Sequence, residues 1–401
     1  MVILLLGTHI FLTIRLKFPQ LYIFKAIKLS VIKDKNSTGD VSQFGALATS
    51  LAATIGTGNI IGVATAVALG GPGAVLWCWM TGIFGVATKY SEGLLAIKYR
   101  VKTSRGTMLG GPMYALEKGL KMKWLAVLFC IFTAVAAFGI GNSVQANAIA
   151  TILSEPGLFG TLSTGIPTYI SGLIMALLVA LVIIFGIKGI ANVCGMLVPF
   201  MAIFYVLGCV IILFYNGEYL GEAIRVIFRE AFSLKSATGG ITGSVLMMAA
   251  RYGIARGIFS NESGLGSAPI VAAAAQTRNP VRQALISSTA TFWDTVVICA
   301  ITGLVLVSSV RAHPDINYSD GAKLTFNAFG KIPYVGSTIL IVGLLTFAFS
   351  TILGWSYYAE KALEYLAGNR VIVYYKIAWV VMVFVGATAN LSIVWDLSDV
   401  T

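Results

Sequence analysis

Apolar residues along this chain fall in long blocks rather than in amphipathic stripes. Residues 124–153, 170–187, 191–215, 284–310 and 334–358 carry at most one or two charges each, and similar blocks occupy 44–69, 73–97, 240–275 and 371–387. A helix needs about 20 such residues to cross a bilayer. With the terminal runs 1–14 and 388–401, the pattern predicts eleven helical segments and an all-α polytopic membrane protein in a single unit, 1–401. Each terminal run falls short of the roughly 17 residues that a short span requires, so the pattern predicts a chain clipped at both ends. The first run has no basic residues ahead of it and no small-residue cleavage site, so it does not read as a signal peptide.

Two of the blocks are interrupted. Segment 44–69 is broken by Gly56-Thr57-Gly58-Asn59, and segment 240–275 by the polar, glycine-rich run from Phe259 to Ser267. Backbone released from a helix at membrane depth must find other partners, so such breaks survive where they line a cavity or bind something. Close helix packing through small residues is the alternative, but Thr57, Asn59 and Glu262 exceed what packing requires. Each interrupted segment opens a group of five, 44–215 and 240–401, which places the halves in the membrane with opposite orientation. Paired interrupted spans of this kind point to a secondary transporter with inverted repeats. Free N–H groups after Asn59 suit a carboxylate. Unpaired carbonyls from Ala52 to Ile55 suit a small hard cation. A symporter of zwitterionic amino acids needs both together.

Composition agrees. The chain is 57% hydrophobic and 11% charged, against about 25% charged in soluble domains. Its formal charge of +12 comes from loops: with 15–43 and 98–123 in the cytoplasm, 20 Lys and Arg fall inside and 6 outside. That bias sets orientation in the cell membrane and removes the reason to expect a nucleic-acid partner. All five cysteines lie in apolar blocks without CxxC spacing and read as packing residues. No Walker A, HExxH or GxSxG sequence occurs, so neither ATP-driven transport nor catalysis is indicated. A channel would show a repeated filter loop. Two unlike breaks favour an occluding carrier.

Other polar residues carry weaker expectations. Arg251 and Arg256, inside an apolar block, call for an acid, with Glu262 and Asp294 as candidates; Arg251 reaching to the membrane surface is the alternative. Trp77 and Trp79 read as an interfacial belt, and 216–236 as an amphipathic helix lying on the outer surface. Glu92, Glu360 and Glu364 read as local partners of nearby lysines.

The stretches GTGNIIGVATAVALGGPGAVLWCWMTGIFGVATKYSEGLLAIKYR (56–100), GGPMYALEKGL (110–120), FGIGNSVQANAIA (138–150), ARGIFSNESGLGSAPI (255–270) and FAFSTILGWSYYAEKALEYL (347–366) resemble the alanine or glycine:cation symporter family, along essentially the whole chain. The resemblance implies a LeuT-like fold of five plus five transmembrane helices with one extra N-terminal helix, and sodium-driven uptake of alanine and glycine by alternating access. Carried over by motif, Thr57, Gly58 and Asn59 surround the substrate from the first break and Phe259, Ser260 and Asn261 from the second. Gln145 is similar to the family's polar contact from the third core helix, and Thr351 and Trp355 to the face that closes the site. For sodium, the resemblance places the carbonyls of Ala52 and Ile55 with the hydroxyls of Ser350 and Thr351. A hydroxyl returned to its own helix is the alternative for those two side chains. Sodium enters as coupling ion, no cofactor is implied, and a proton-coupled carrier remains open.

Overall fold

The computed structural model describes residues 2–34, 37–103, 106–155, 165–233, 245–318, 321–332 and 335–389. In chain order the helices are α1 (Val2–Arg15), α2 (Ile23–Val31), α3 (Gln43–Thr54), α4 (Gly58–Gly70), α5 (Ala74–Lys98), α6 (Lys123–Ser154), α7 (Thr168–Ile183), α8 (Gly186–Tyr215), α9 (Gly217–Ala231), α10 (Val245–Asn261), α11 (Ala268–Ala272), α12 (Pro280–Ala312), α13 (Gly321–Gly330), α14 (Gly336–Ala367) and α15 (Ile372–Thr388). A hairpin of two-residue strands, Val101–Lys102 with Met108–Leu109, and a short helical segment, Pro112–Tyr114 running into Ala115–Gly119, lie between α5 and α6.

The helices follow the apolar blocks, and ten of the eleven expected segments coincide with a helix or a helix pair. The run 388–401 lies outside the described residues from 390 on, as do 240–244 of the second interrupted segment. Among the described residues five helices qualify as spans by length and apolarity, or six with the pair α3–α4, which meets at 51°. The others are short or polar for a reason: α5 carries the buried Lys89, and α10 and α11 are separated by a break. Helix starts are set locally. Ser42 caps α3 by accepting the Gly45 N–H at 3.0 Å, and Asn279 caps α12 ahead of Pro280.

Around the outside, α7 exposes Leu173, Leu177 and Leu181, α8 exposes Phe200, Ile203 and Leu207, and α15 exposes Val373, Ile377 and Val381. Apolar stripes at helical spacing, turned outward, are the surface of a protein whose solvent is lipid. Inside, α5 packs on α10 and α12, while α14 packs on α3, α6 and α8. The approach of α14 to α3 is close: a Cβ on Gly354 would lie 2.7 Å from that of Ala53. Helix α9 is the amphipathic element expected over 216–236. It buries Ala223, Val226 and Ile227, and the Trp77 indole donates to its Ala231 carbonyl at 3.0 Å. All five cysteines are buried and free.

Three stretches that face the middle of the bundle, Gly58–Gly62, Ala137–Ser143 and Phe292–Cys299, are wound as π-helix. A π-turn inserts a residue and re-aims the side chains around it, and such turns concentrate at functional sites.

Candidate functional site

The first break begins where α3 stops at Thr54 and Ile55 turns extended (ψ 95°). The N–H groups that would close its last turn go elsewhere. That of Gly56 donates to Asn59 Oδ1 at 2.9 Å, that of Thr57 to Gln145 Oε1 at 3.2 Å, and that of Asn59 to the Gly56 carbonyl at 3.2 Å. The carbonyls of Ala52, Ala53 and Ile55 thereby lose their helical donors. Two of them find hydroxyls on α14: Ser350 Oγ lies 3.2 Å from the Ala52 carbonyl, and Thr351 Oγ1 lies 3.2 Å from that of Ile55. Both hydroxyls also reach the Phe347 carbonyl, at 2.9 and 3.0 Å. The back-bonding alternative and the contact across helices therefore coexist.

The second break joins α10 to α11 through left-handed backbone at Glu262 (φ 54°), Gly264 (φ 92°) and Gly266 (φ 79°). Glycine takes that region freely; Glu262 does so against its side chain and must be held there. Glu92 of α5 accepts the N–H groups of Gly264 and Gly266, both at 3.1 Å. Lys89, only 1% exposed, donates to the Glu262 carbonyl at 3.2 Å. Asn261 Oδ1 accepts the Ser263 N–H at 2.9 Å. The Glu262 carboxylate accepts the Ser267 hydroxyl and, at 2.9 Å, the indole N–H of Trp355.

Asp294, fully buried in the π-turn of α12, ties the breaks together. Its carboxylate accepts Asn59 Nδ2 at 2.8 Å, Ser260 Oγ at 3.0 Å and Thr295 Oγ1 at 2.6 Å. Between the breaks is a small cavity of about 10 Å³, lined by Ala53, Thr54, Gly56, Gly58, Ile140, Gln145, Phe259, Ser260, Glu262, Thr351 and Trp355. That is about the room one water-sized sphere needs.

Of the nine residues expected around a substrate, Gly58, Gln145, Phe259, Ser260, Thr351 and Trp355 line this cavity. Thr57, Asn59 and Asn261 are buried behind it. Thr57 is held by Gln145 through both backbone and hydroxyl, Asn59 faces Asp294, and Asn261 Nδ2 faces Thr81 at 3.3 Å. The four residues expected at a cation, Ala52, Ile55, Ser350 and Thr351, meet beside the cavity.

The expected arginine pairing does not form. Among the described residues neither Arg251 nor Arg256 has a carboxylate within ion-pair distance; Arg251 is exposed, and the Arg256 guanidinium sits 5.8 Å from the centre of the Phe259 ring. The two acids serve the breaks instead. Glu92, expected to pair locally, stands 4.0 Å from Lys89, and both side chains bind the backbone of the second break. Their signal in the sequence was a charged pair about two turns from the end of an apolar helix. Nothing in sequence spacing said that it faced Gly264.

Two broken helices packed face to face, with released carbonyls and polar side chains around a cavity between them, define a multi-pass membrane carrier of the LeuT-like fold. The sodium:alanine symporter family model matches residues 1–401, and the chain belongs to that family. It is 50% identical to the sodium/alanine symporter AgcS of Methanococcus maripaludis, over all of this chain and 87% of that one. It is 36% identical to the probable sodium/glutamine symporter GlnT of Bacillus subtilis, over all of this chain and 81% of that one. Among solved structures, MhsT in complex with L-phenylalanine superposes with a TM-score of 0.64 at 16% identity, over 88% of this chain and 81% of that one. The family and its structural neighbours are transporters.

Proposed function

We propose that this protein is a sodium-coupled symporter that imports small neutral amino acids, alanine and glycine first among them, by alternating access. The observation that carries the reading is the end of α3. Carbonyls freed by the first break meet two hydroxyls of α14 directly beside the cavity, so an ion and a substrate would share one broken helix. Oxygens about 3.2 Å apart are the edge of a ligand shell with bonds of about 2.3 Å, the range of hard cations held by oxygen. The substrate carboxylate would take N–H groups at the start of α4. Close walls limit the substrate to a small side chain: a Cβ on Gly56 would lie 2.6 Å from Thr351 Oγ1, and one on Gly58 3.3 Å from the Phe259 ring.

In this reading 44–215 and 240–401 are the inverted halves that rock against each other, and loops 15–43 and 98–123 face the cytoplasm. The sodium/alanine symporter at 50% identity supports alanine and sodium; a relative at 36% identity, named a putative sodium/proton-dependent alanine carrier, keeps protons in the test. Uptake of labelled L-alanine into proteoliposomes, with inward gradients of sodium, of protons or of neither, decides it. Saturable uptake that requires sodium is the expected result. Uptake driven equally by a proton gradient in sodium-free buffer would remove the sodium assignment, and uptake that fails to saturate would remove the carrier.

A further inference from the structure

We infer that Glu262 sets the size limit of the substrate cavity by fixing the indole of Trp355, which makes it a specificity-determining residue of the second break. This rests on the reading of the cavity as an amino-acid site. Trp355 belongs to α14, is 4% exposed and forms one wall. Its ring is confined on the α6 side by Gly141, where an added Cβ would lie 2.3 Å from the Trp355 Cγ, and Tyr358 stands edge-on at 5.6 Å. Packing thus blocks two directions, and the hydrogen bond of the indole fixes the rotation that remains. A buried indole N–H requires an acceptor, and Glu262 Oε1 at 2.9 Å provides it. Glu262 is itself immobilised. Its backbone N–H donates to the Ile258 carbonyl at 2.9 Å, Lys89 holds its carbonyl at 3.2 Å, and its second carboxylate oxygen takes the Ser267 hydroxyl. The wall stands on α14, but its position is dictated by α10 and the break that follows it. Without the acceptor the indole is free to turn, and the space it closes becomes available to a larger side chain.

Glu262 also lines the cavity, so the rival role is direct binding of the substrate ammonium. The two roles separate by what changes: a direct ligand alters affinity for every amino acid alike, whereas a positioning residue alters the ratio between small and large ones. The test is competition of L-alanine uptake by glycine, L-valine and L-leucine in proteoliposomes bearing Glu262→Ala, Glu262→Gln, Trp355→Phe and the Glu262→Ala/Trp355→Phe double variant. Glu262→Ala and Trp355→Phe are each expected to lower the discrimination between L-alanine and L-leucine by about tenfold, the scale of one hydrogen bond to a charged acceptor. The double variant is expected to lower it no further. Glu262→Gln, whose amide oxygen still accepts the indole, is expected to keep the wild-type ratio whatever its rate. An unchanged ratio in Glu262→Ala with affinity lost for all competitors, or a double variant equal to the product of the singles, overturns the inference. In protein labelled with 5-fluorotryptophan, the ¹⁹F resonance absent from Trp355→Phe should move in Glu262→Ala without any amino acid present. If the wild type transports no amino acid, the functional reading fails, while an unmoved resonance fails this inference by itself.

Discussion

Replacing Ser350 by alanine tests the proposed sodium site apart from the proposed substrate site, because Ser350 does not line the cavity while its neighbour Thr351 does. The Ser350 hydroxyl stands 3.2 Å from the Ala52 carbonyl and 2.9 Å from that of Phe347. In the folded protein its removal costs one neutral hydrogen bond, its single proton being shared between the two carbonyls, about 0.5–1.5 kcal/mol. That is a modest loss that a thermal melt should register without collapse. At the ion the loss is larger. An oxygen facing a charge contributes about 1.5–3 kcal/mol, which is roughly 10–150-fold in an equilibrium constant. The Ala52 carbonyl cannot be rescued locally, since the Gly56 N–H that would return to it is held by Asn59. The half-saturating sodium concentration for L-alanine uptake should therefore rise by at least about tenfold. By linkage, alanine affinity at limiting sodium should fall by the same factor and recover at saturating sodium. The assay is uptake into proteoliposomes over a sodium titration at several alanine concentrations. A half-saturating sodium concentration within a factor of about two of wild type would refute a direct contact, since that corresponds to less than one such bond. Loss of alanine affinity that persists at saturating sodium would instead place Ser350 on the substrate.

Three further substitutions follow from the geometry. Gly141→Ala puts a Cβ 2.3 Å from Trp355 Cγ, which drives the indole into the cavity; L-alanine uptake should fall by about tenfold or more in protein that still melts cooperatively, and near-normal uptake would show that the wall can retreat. Gln145→Leu keeps the volume but strips the acceptor from the Thr57 N–H and the donor from its hydroxyl; a buried N–H left unpaired costs about 1–3 kcal/mol, to be read as a lowered melting midpoint together with weakened alanine binding. Glu92→Ala removes the acceptor of two backbone N–H groups in the second break. It should destabilise by about 1–3 kcal/mol, less than two buried bonds because Gly264 is exposed and water replaces part of the loss; Glu92→Gln, which keeps the acceptor, should recover most of the midpoint.

The sequence made the spans and both breaks legible because each depends on local composition. A run of apolar residues long enough to cross lipid, or a glycine and asparagine in its middle, is visible without knowing any neighbour. The pairing of Ala52 and Ile55 with Ser350 and Thr351 was reached through resemblance alone, since nearly 300 residues separate them. What local reading could not reach is direction. Asp294 and Gly141 lie in π-turns, which shift the helical phase, so a regular 3.6-residue wheel misplaces the direction in which each position faces. Asn59 and Asn261 are polar residues inside the breaks, the usual mark of a ligand contact, yet each turns away from the cavity to hold structure. Asn59 spends its oxygen on Gly56 and its amide on Asp294. The arginine expectation failed for a related reason. A buried acid needs partners, but hydroxyls, an amide and an indole satisfied Glu262 and Asp294 where a guanidinium was expected.

Those neutral partners bear on how the site moves. The first break is held by Gln145 of α6 and Asp294 of α12, and the second by Lys89 and Glu92 of α5, by Asp294 and, through Trp355, by α14. A tight ion pair buried in low dielectric would lock the breaks, since separating it leaves two charges uncompensated. Hydrogen bonds from hydroxyls, an amide and an indole to the carboxylates of Glu262 and Asp294 contribute about 1.5–3 kcal/mol each, less than the about 3–5 kcal/mol lost when a buried pair is broken, so these contacts are the easier ones to break and remake as water enters. Asp294 touches both breaks at once, through Asn59 and Ser260, and a displacement of either helix half must be answered at the other or leave the carboxylate short of a donor. If the halves rock as proposed, their coupling needs no long pathway: one buried acid takes donors from both breaks.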